Sequence, residues 1–330
     1  MILQGLRLRR YYPWGHSLLG PRQWVRAVEE VTIGVRAGET VALVGESGSG
    51  KTTTGRLLLG LEPPTAGQVV FRGLPLGALA GPARQAFRRA VQPVFQDSTA
   101  SLNPRKTVAH TVGLGLAAAG VSPADRRREL MRLLEEVGLE PAAAFLDRFP
   151  HQLSGGQRQR VNIARALATS PEVIVADEPV SALDLSVRAQ ILLLLLRLQR
   201  ERRLAYLFIS HDLAVVRSIA HRAAVMYLGR IVEEGPTEEV FRRPSHPYTE
   251  ALISATPVPD PRTKRERIIL AGDVPSPLRP PPGCPFHPRC PVAADICRRV
   301  FPPVVELGAG HSAVCHFARE RAATFAGSQG

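Results

Sequence analysis

Three observations predict an α/β fold around a parallel β-sheet for this chain of 330 residues. The glycine-rich stretch 45–52 separates an apolar strand pattern from a helix pattern. Residues 173–176 form a continuous apolar run, which is typical of a parallel strand buried on both faces. From 187 to 220, helix and strand patterns alternate in the manner of βαβ units. The central sheet is therefore expected to be parallel.

The individual elements follow from hydrophobic periodicity, since alternation indicates strands and a spacing of three to four residues indicates helices. The predicted strands cover 2–9, 31–35, 40–44, 69–71, 91–95, 173–176 and 205–209. The predicted helices cover 51–60, 123–137, 187–203 and 213–220, with further helices between 108 and 168. Residues 225–228 and 231–233 flank Gly229-Arg230 and predict a β-hairpin.

The composition changes beyond residue 241. Prolines cluster between 275 and 291, and all four cysteines occur after position 283. We interpret 1–242 as one domain and 243–330 as a small, loop-rich extension outside the α/β core.

The chain carries a net charge of +13, almost entirely from arginine, because lysine occurs only at 51, 106 and 264. Such a charge permits binding to nucleic acid or to an anionic membrane face, and an arginine-rich solvated surface is the simpler alternative. The longest aliphatic run, 191–196, is far shorter than the roughly 20 residues that span a bilayer. We expect the chain to lie on the cytoplasmic side without crossing the membrane.

The stretch 45–52 fits the phosphate-binding-loop (P-loop) pattern, and its position between a strand and a helix supports that interpretation over an ordinary glycine turn. Backbone N–H groups at a helix start can surround phosphate oxygens. The Lys51 ammonium suits the β- and γ-phosphates, and the Thr52 hydroxyl suits Mg²⁺. The predicted nucleotide-binding residues are Gly45, Ser47, Gly48, Ser49, Gly50, Lys51, Thr52 and Thr53.

Asp177 and Glu178 end the predicted buried strand at 173–176. A carboxylate at the tip of a buried strand is poorly solvated unless it faces a cation, so Asp177 suits Mg²⁺. Glu178 is placed to polarise an attacking water as a general base. A solvated acidic turn before Pro179 is the alternative.

Ser154, Gly155, Gly156 and Gln157 follow the capping-box rule and predict a helix start. Taken alone, this structural interpretation would suffice. However, two glycines cost nearly 1 kcal/mol each in a helix interior, whereas they let backbone N–H groups approach a phosphate closely. Since the P-loop already serves one side of a triphosphate, the second helix start predicts contact with another molecule's nucleotide. Two such chains would then meet head to tail.

Together these motifs resemble the ATPases of the ATP-binding-cassette (ABC) family over about 2–240. Gln96 in VFQD resembles the Q-loop, LSGGQ at 153–157 the signature, SALD at 181–184 the D-loop, and His211 in ISHD the switch histidine. The resemblance implies a P-loop NTPase core of RecA type, an antiparallel β subdomain, and an inserted helical subdomain at about 97–168. It also implies binding of ATP and Mg²⁺ with ATP hydrolysis.

The resemblance further implies roles for individual residues. Gln96 would contact Mg²⁺ or the attacking water, Asp184 would cross the dimer interface, and His211 would contact the γ-phosphate; by itself, His211 would more often be a capping or surface residue. The adenine is expected to stack on Tyr12, with Tyr11 and Trp14 as alternatives.

The stretches SLNPRKTV, His246-Pro247-Tyr248 and GCPFHPRCP resemble the oligopeptide and dipeptide importer branch, and in particular the second of its two paired ATPases. The implied partners are a homologous ABC ATPase subunit, two transmembrane permease subunits and an extracytoplasmic substrate-binding protein. The implied location is peripheral, at the cytoplasmic face of the inner membrane. A nickel or other small-solute importer is one alternative. A soluble ATPase that acts on nucleic acid or ribosomes is another alternative. Such ATPases usually carry two cassettes in tandem, whereas this chain has one, so no nucleic acid partner is expected.

The four cysteines occur with the spacing C-x5-C-x6-C-x17-C. A disulfide is disfavoured in the cytosol, and the spacing lacks the close pairs that structural zinc sites usually have. Four thiolates suffice for a [4Fe–4S] cluster, which some members of the resembled branch carry. Zinc and free thiols remain alternatives. The candidate ligands are Cys284, Cys290, Cys297 and Cys315.

Overall fold

The computed structural model describes residues 1–15, 23–96, 101–256 and 267–327, apart from the side chains of 325–327. In those residues the strands are β1 (Leu3–Trp14), β2 (Gln23–Val35), β3 (Thr40–Val44), β4 (Ala66–Phe71), β5 (Leu74–Pro75), β6 (Val91–Val94), β7 (Val173–Asp177), β8 (Ala205–Ser210), β9 (Arg222–Tyr227), β10 (Arg230–Pro236), β11 (Val304–Gly308) and β12 (His311–Val314). The helices are α1 (Lys51–Leu58), α2 (Gly81–Ala90), α3 (Val108–Ala118), α4 (Arg126–Glu136), α5 (Gly155–Leu167), α6 (Leu185–Arg202), α7 (Leu213–Ile219), α8 (Thr237–Arg242), α9 (Pro247–Ser254), α10 (Asp295–Arg299) and α11 (Ala318–Gly327).

Contacts divide the chain into two compact units. The first comprises Met1–Leu3, Val35–Glu39 and Phe71–Phe208. The second comprises Gln4–Gly34, Thr40–Val70 and Ile209–Gly330. Each unit thus combines segments that are far apart in the sequence.

The first unit contains the strand order β8-β7-β6 and the helices from α2 to α6. β6 and β7 pair in parallel, with Val94 opposite Ala176. Every residue of β7 is buried, which confirms the prediction of a fully buried parallel strand. Helix α3 packs against α4 and α5. These helices lie in the predicted helical subdomain, whose first residues, 97–100, are outside the described residues.

The second unit contains the strand order β11-β12-β10-β9-β3 and a separate sheet with the order β2-β1-β4. β3 pairs in parallel with β9, while β10 is antiparallel to both β9 and β12. The predicted hairpin is confirmed as β9–β10. Its turn residues Leu228 and Gly229 both have positive φ, 45° and 81°, as a tight hairpin turn of type I′ requires.

β1 and β2 extend well beyond the predicted strands at 2–9 and 31–35. Their outer portions, 10–14 and 23–30, mix aromatic, aliphatic and charged residues without strict alternation, so hydrophobic periodicity does not reveal them. Cross-strand pairs hold them instead: Arg9 forms ion pairs with Glu29 and Glu30, and the Tyr11 hydroxyl donates to Glu29 at 2.7 Å.

The C-terminal segment 243–330 (the tail), predicted as a loop-rich extension, packs closely on the second unit. β12 continues the sheet of that unit, with Ala313 opposite Glu233. Tyr248 and Phe286 share one buried cluster with Val44 of β3. Short strands among prolines carry little periodic signal, so the sequence did not indicate this strand pairing.

Glu233 is a buried carboxylate that attaches this tail to β10. Only 1% of the residue is exposed, and its oxygens accept hydrogen bonds from the backbone N–H groups of Ser245 at 2.7 Å and His246 at 2.9 Å. The His311 ring lies 2.8 Å from the same carboxylate. Burial lowers the pKa of His246 to about 3, so that ring is neutral at physiological pH.

Replacing Glu233 by alanine is expected to lower the free energy of unfolding by about 3 kcal/mol, because two buried N–H donors and His311 lose their acceptor. Urea unfolding measures the change. The matched control is Glu238→Ala, which breaks an exposed ion pair with Arg217 and should cost less than about 0.5 kcal/mol. Equal losses in the two variants would contradict the assignment.

Candidate nucleotide-binding site

The predicted P-loop joins β3 to α1 in the second unit, and its first and last loop glycines are required by the backbone. Gly45 has φ 152°, and a Cβ atom there would lie 2.1 Å from the Met226 carbonyl oxygen. Gly50 has φ 104°, and a Cβ atom there would lie 2.2 Å from the Ala27 carbonyl oxygen. Any side chain at either position would therefore displace the loop.

The Lys51 side chain is 6% exposed and folds back over the loop. Its ammonium donates to the carbonyl oxygens of Gly45 at 2.7 Å and Glu46 at 2.9 Å. The charge is thereby held at the loop, where it suits an anionic ligand. Around it, the other candidate residues divide into the exposed Ser47, Gly48 and Thr52, the half-buried Gly50 and Thr53, and the buried Gly45 and Ser49.

Long-range hydrogen bonds and an ion pair, which the sequence did not indicate, hold the P-loop in place. The hairpin turn supplies one of them, since the Gly229 N–H donates to the Ser49 carbonyl at 2.9 Å. The tail supplies two more at Glu46: the backbone N–H donates to the Tyr248 hydroxyl at 2.8 Å, and the carboxylate pairs with Arg289. These partners lie about 200 residues away in the sequence, so no local signal indicates them.

In the first unit, Asp177 and Glu178 end β7 as predicted. Asp177 is 9% exposed. Glu178 has φ 47°, a left-handed conformation that non-glycine residues adopt rarely, often at functional sites. The turn is held by Ser181, whose N–H and hydroxyl both donate to the Glu178 carbonyl, at 3.3 and 3.1 Å.

Gln96 lies two residues beyond β6 and is exposed. Because β6 and β7 are parallel, Gln96 is at the same end of the first unit's sheet as Asp177 and Glu178. The structure thus brings these three predicted residues to the carboxyl end of the strands in this sheet.

His211, in the second unit, directly follows β8 and is exposed. The neighbouring Asp212 carboxylate caps α7 by accepting from the N–H groups of Ala214 at 3.0 Å and Val215 at 3.2 Å. The helix cap thereby fixes the backbone next to His211.

The predicted capping box at Ser154 is confirmed. The Ser154 hydroxyl accepts from the Gln157 N–H at 3.3 Å, and the Gln157 side chain accepts from the Ser154 N–H at 3.0 Å. Helix α5 begins at Gly155, and Ser154 itself is exposed. The first-turn N–H groups of an exposed helix start are suited to an anion.

Gly156 also has a packing reason, which the sequence did not suggest. A Cβ atom there would lie 2.6 Å from Cγ1 of Val187 on α6, whereas at Gly155 the nearest atom would be 3.5 Å away, on Leu183. Asp184, in the predicted D-loop, immediately precedes α6 and is exposed; the adjacent Leu185 is 80% exposed.

The aromatic residues considered for adenine stacking lie on β1 in the second unit. The Tyr12 ring is half-buried, with the Arg10 guanidinium 4.7 Å from its centroid and its hydroxyl donating to Glu62. Tyr11 is engaged with Glu29, and its pKa is raised chiefly by burial. Trp14 is 59% exposed.

The four cysteines lie in the tail. Cys284 and Cys290 pack against the buried cluster that contains Tyr248 and Phe286, and Cys315 lies in a second buried cluster with Ala313 and Ala318. The Cys284 N–H donates to the Cys297 carbonyl at 2.8 Å. Burial raises the pKa of Cys284 to about 12 and that of Cys315 to about 11, so these thiols are protonated at neutral pH unless a cation compensates their charge. Backbone N–H groups lie at three of the sulfurs: that of Phe286 at Cys284, that of Val292 at Cys290, and that of Phe317 at Cys315, the last at 3.4 Å.

Among the residues that the structure describes, no group of three or more His, Cys, Asp or Glu side chains is arranged to hold a metal ion. None of the described helices combines the length and apolar character needed to cross a bilayer.

Comparison with known proteins agrees with this geometry. Residues 28–181 match the family described as "ABC transporter", and 232–297 match "Oligopeptide/dipeptide transporter, C-terminal region". Among solved structures, the dimeric ATP-binding cassette MJ0796 in a post-hydrolysis state with ADP and Pi is 31% identical, with a TM-score of 0.62, covering 71% of this chain and 98% of that one. The structure of CbiO1 from Clostridium perfringens is 27% identical, with a TM-score of 0.61, covering 73% of this chain and 90% of that one. The fold is that of an ATP-hydrolysing cassette.

Two relatives are similar over most of their length. A probable peptide ABC transporter ATP-binding protein, y4tS of Sinorhizobium fredii, is 53% identical over 88% of this chain and 82% of its own length. The dipeptide transport ATP-binding protein DppF of Haemophilus influenzae is 47% identical over 95% of this chain and 96% of its own length. The chain belongs to the ATP-binding proteins of ABC transporters, in the branch that carries the oligopeptide/dipeptide C-terminal region.

Gly156→Ala is expected to lower the free energy of unfolding by about 1–3 kcal/mol, because the added methyl group overlaps Val187. Adding Val187→Ala should recover most of that loss relative to Val187→Ala alone. The control, Gly155→Ala, has room for its methyl group and should be neutral or slightly stabilising in urea unfolding. The packing explanation fails if both glycine variants are destabilised alike.

Proposed function

We propose that this chain hydrolyses ATP to power the import of dipeptides or oligopeptides, as the ATPase subunit of a membrane complex. The observation that carries the proposal is the match between residues 232–297 and the C-terminal region of oligopeptide and dipeptide transporters. It is supported by relatives whose names specify peptide and dipeptide transport.

The P-loop residues supply the binding chemistry in this proposal. The Lys51 ammonium and the N–H groups of the loop bind the phosphates of ATP. The Thr52 hydroxyl, the Asp177 carboxylate and the Gln96 side chain are all oxygen donors of the type that Mg²⁺ prefers, and they would hold that ion. When bound, Mg²⁺ neutralises charge on the phosphates.

Glu178 and His211 act on the γ-phosphate. The Glu178 carboxylate accepts a proton from the attacking water, and the left-handed backbone supports a dedicated role for this residue. The His211 side chain contacts the γ-phosphate. Tyr12 stacks on the adenine, although Tyr11 and Trp14 lie on the same strand.

A second cassette completes the site in this proposal. The helix start that contacts the partner's nucleotide comprises the exposed Ser154 and the half-buried Gly155, Gly156 and Gln157. Asp184 and Leu185 are also exposed, as expected of residues that meet a partner. The described dimer of the similar cassette MJ0796 supports this arrangement. The partner is a homologous subunit; two permeases and a substrate-binding protein complete the complex at the cytoplasmic face of the membrane.

We also propose that the tail holds a [4Fe–4S] cluster through Cys284, Cys290, Cys297 and Cys315. Four thiols supply the donors: Cys284 and Cys290 pack against the apolar cluster that contains Tyr248 and Phe286, and the Cys284 N–H donates to the Cys297 carbonyl. Backbone N–H groups lie at three of the sulfurs, those of Cys284, Cys290 and Cys315. In a [4Fe–4S] cluster each thiolate binds a different iron, so the four sulfurs need not surround a single ion. The group would supply thiolate-bound iron as a structural cross-link.

The protein purified anaerobically should contain about four irons and four sulfides per chain and absorb visible light. Cys297→Ser is expected to remove most of the iron, measured by metal analysis. Ser254→Ala, a control that alters an α9 residue outside the cysteine group, should retain it. A colourless wild-type protein that contains zinc or no metal would contradict the cluster.

The transport role is tested in proteoliposomes that contain the complete complex. The wild type should accumulate a labelled dipeptide in the presence of ATP and binding protein, whereas Glu178→Gln should abolish uptake, lower ATPase activity at least about a hundredfold and trap an ATP-bound dimer. Glu172→Gln, at the opposite end of β7 and paired with Arg72, is the control and should remain active. Uptake of nickel without dipeptide would identify the other solute class. Full ATPase activity in Glu178→Gln would refute the role of that residue.

A further inference from the structure

Glu46 is the P-loop residue that two side chains of the tail, Tyr248 and Arg289, contact. It lies between Gly45, which requires a positive φ, and the exposed Ser47. Its own side chain does not belong to the phosphate-binding pattern, in which this position accepts any residue. Nevertheless, its N–H group, its carbonyl group and both of its carboxylate oxygens have partners.

The carboxylate pairs with Arg289 in a two-pronged geometry. Arg289 Nη1 donates to Oε2 at 2.8 Å and Nη2 donates to Oε1 at 3.1 Å. The Arg289 side chain is only 8% exposed, and the Glu46 side chain is 30% exposed. A bidentate pair that is largely shielded from water is stronger and more directional than a surface ion pair.

The backbone of Glu46 is held as well. Its N–H donates to the Tyr248 hydroxyl at 2.8 Å, and its carbonyl accepts from Lys51 at 2.9 Å. Tyr248 is fully buried, with its ring 4.7 Å from that of Tyr227 and 5.5 Å from that of Phe286. The hydroxyl is therefore a fixed acceptor and not a mobile surface group.

Arg289 is fixed by the cysteine-bearing loop from which it projects. The Cys284 N–H donates to the Cys297 carbonyl at 2.8 Å, and the Arg289 N–H donates to the Phe286 carbonyl at 3.0 Å. Gly283 has φ 64°, and a Cβ atom there would lie 2.4 Å from the Cys297 carbonyl oxygen. This close packing determines where the guanidinium points.

From these contacts we infer that Arg289 and Tyr248 are positioning residues for ATP binding, through which the tail holds the P-loop in its phosphate-binding conformation. Both act through Glu46 and neither needs to touch the nucleotide. If the P-loop adopts this conformation for a smaller fraction of the time, the apparent affinity for nucleotide falls by the same factor. ATP affinity therefore depends on the integrity of the cysteine-bearing loop.

The test is the affinity of the purified full-length chain for Mg²⁺–ATP, measured by calorimetry, together with steady-state ATPase kinetics of the complete complex. Arg289→Gln should raise Kd and KM about tenfold while kcat at saturating ATP stays within about twofold of the wild type. Arg289→Lys, which keeps the charge but not the two-pronged geometry, should give an intermediate value. Arg222→Gln is the matched control, since Arg222 pairs with Glu234 in the same unit, 3.4 Å apart, and should leave Kd unchanged.

A double-mutant cycle separates this role from a general loss of stability. If Arg289 acts through Glu46, the double variant Glu46→Gln/Arg289→Gln should bind ATP no more weakly than Glu46→Gln alone. Tyr248→Phe removes only the hydroxyl and should weaken binding about threefold with the ring packing intact. Thermal melting verifies that each variant is folded.

Wild-type affinity in folded Arg289→Gln, fully additive effects in the cycle, or a loss of kcat without a change in KM would each overturn the inference. It rests on the nucleotide binding proposed for the P-loop but not on the transported solute. A complex that imports another solute would therefore leave the result intact, whereas a wild-type chain that does not bind ATP would contradict the proposed function itself.

Discussion

The close approach of the P-loop to neighbouring backbone is the constraint on which the nucleotide site depends. Gly45 and Gly50 lie so near the carbonyls of Met226 and Ala27 that neither can carry a side chain. The loop is therefore not an isolated turn, because its backbone packs directly against the backbone of β9 and β2. Its Lys51 ammonium bonds back to the same loop, which concentrates positive charge where phosphate would bind.

This constraint explains why the tail belongs to the core. A loop with glycine at positions 45, 48 and 50 contributes little packing of its own, so contacts from neighbouring segments must fix its conformation. The hairpin turn contributes a backbone hydrogen bond from Gly229 to Ser49, and the tail contributes Tyr248 and Arg289 at Glu46. Through Glu233, the tail is in turn joined to β10 by a buried carboxylate. A segment rich in proline and cysteine thereby becomes part of the support of the nucleotide site.

Much of the local structure was predictable because its causes are local. The buried strand at 173–176, the hairpin around Gly229 and the capping box at Ser154 were all indicated by residues within a few positions of each other. The motif residues of the site were found in the same way. The outer parts of β1 and β2 were missed because cross-strand ion pairs, and not hydrophobic alternation, stabilise them.

By itself the sequence determined the α/β class, the P-loop, the acidic end of β7 and the helix start at Ser154, because each depends on backbone geometry or periodicity over a short stretch. Only the tertiary structure decided that the tail extends the sheet, that Glu178 adopts a left-handed conformation, and that Arg289 reaches Glu46. The sheet extension and the Arg289–Glu46 pair join residues far apart in the chain, and their free energy comes from packing and burial that form only when the whole second unit is assembled. The Glu178 conformation is local, but hydrophobic periodicity carries no information on the sign of a backbone angle.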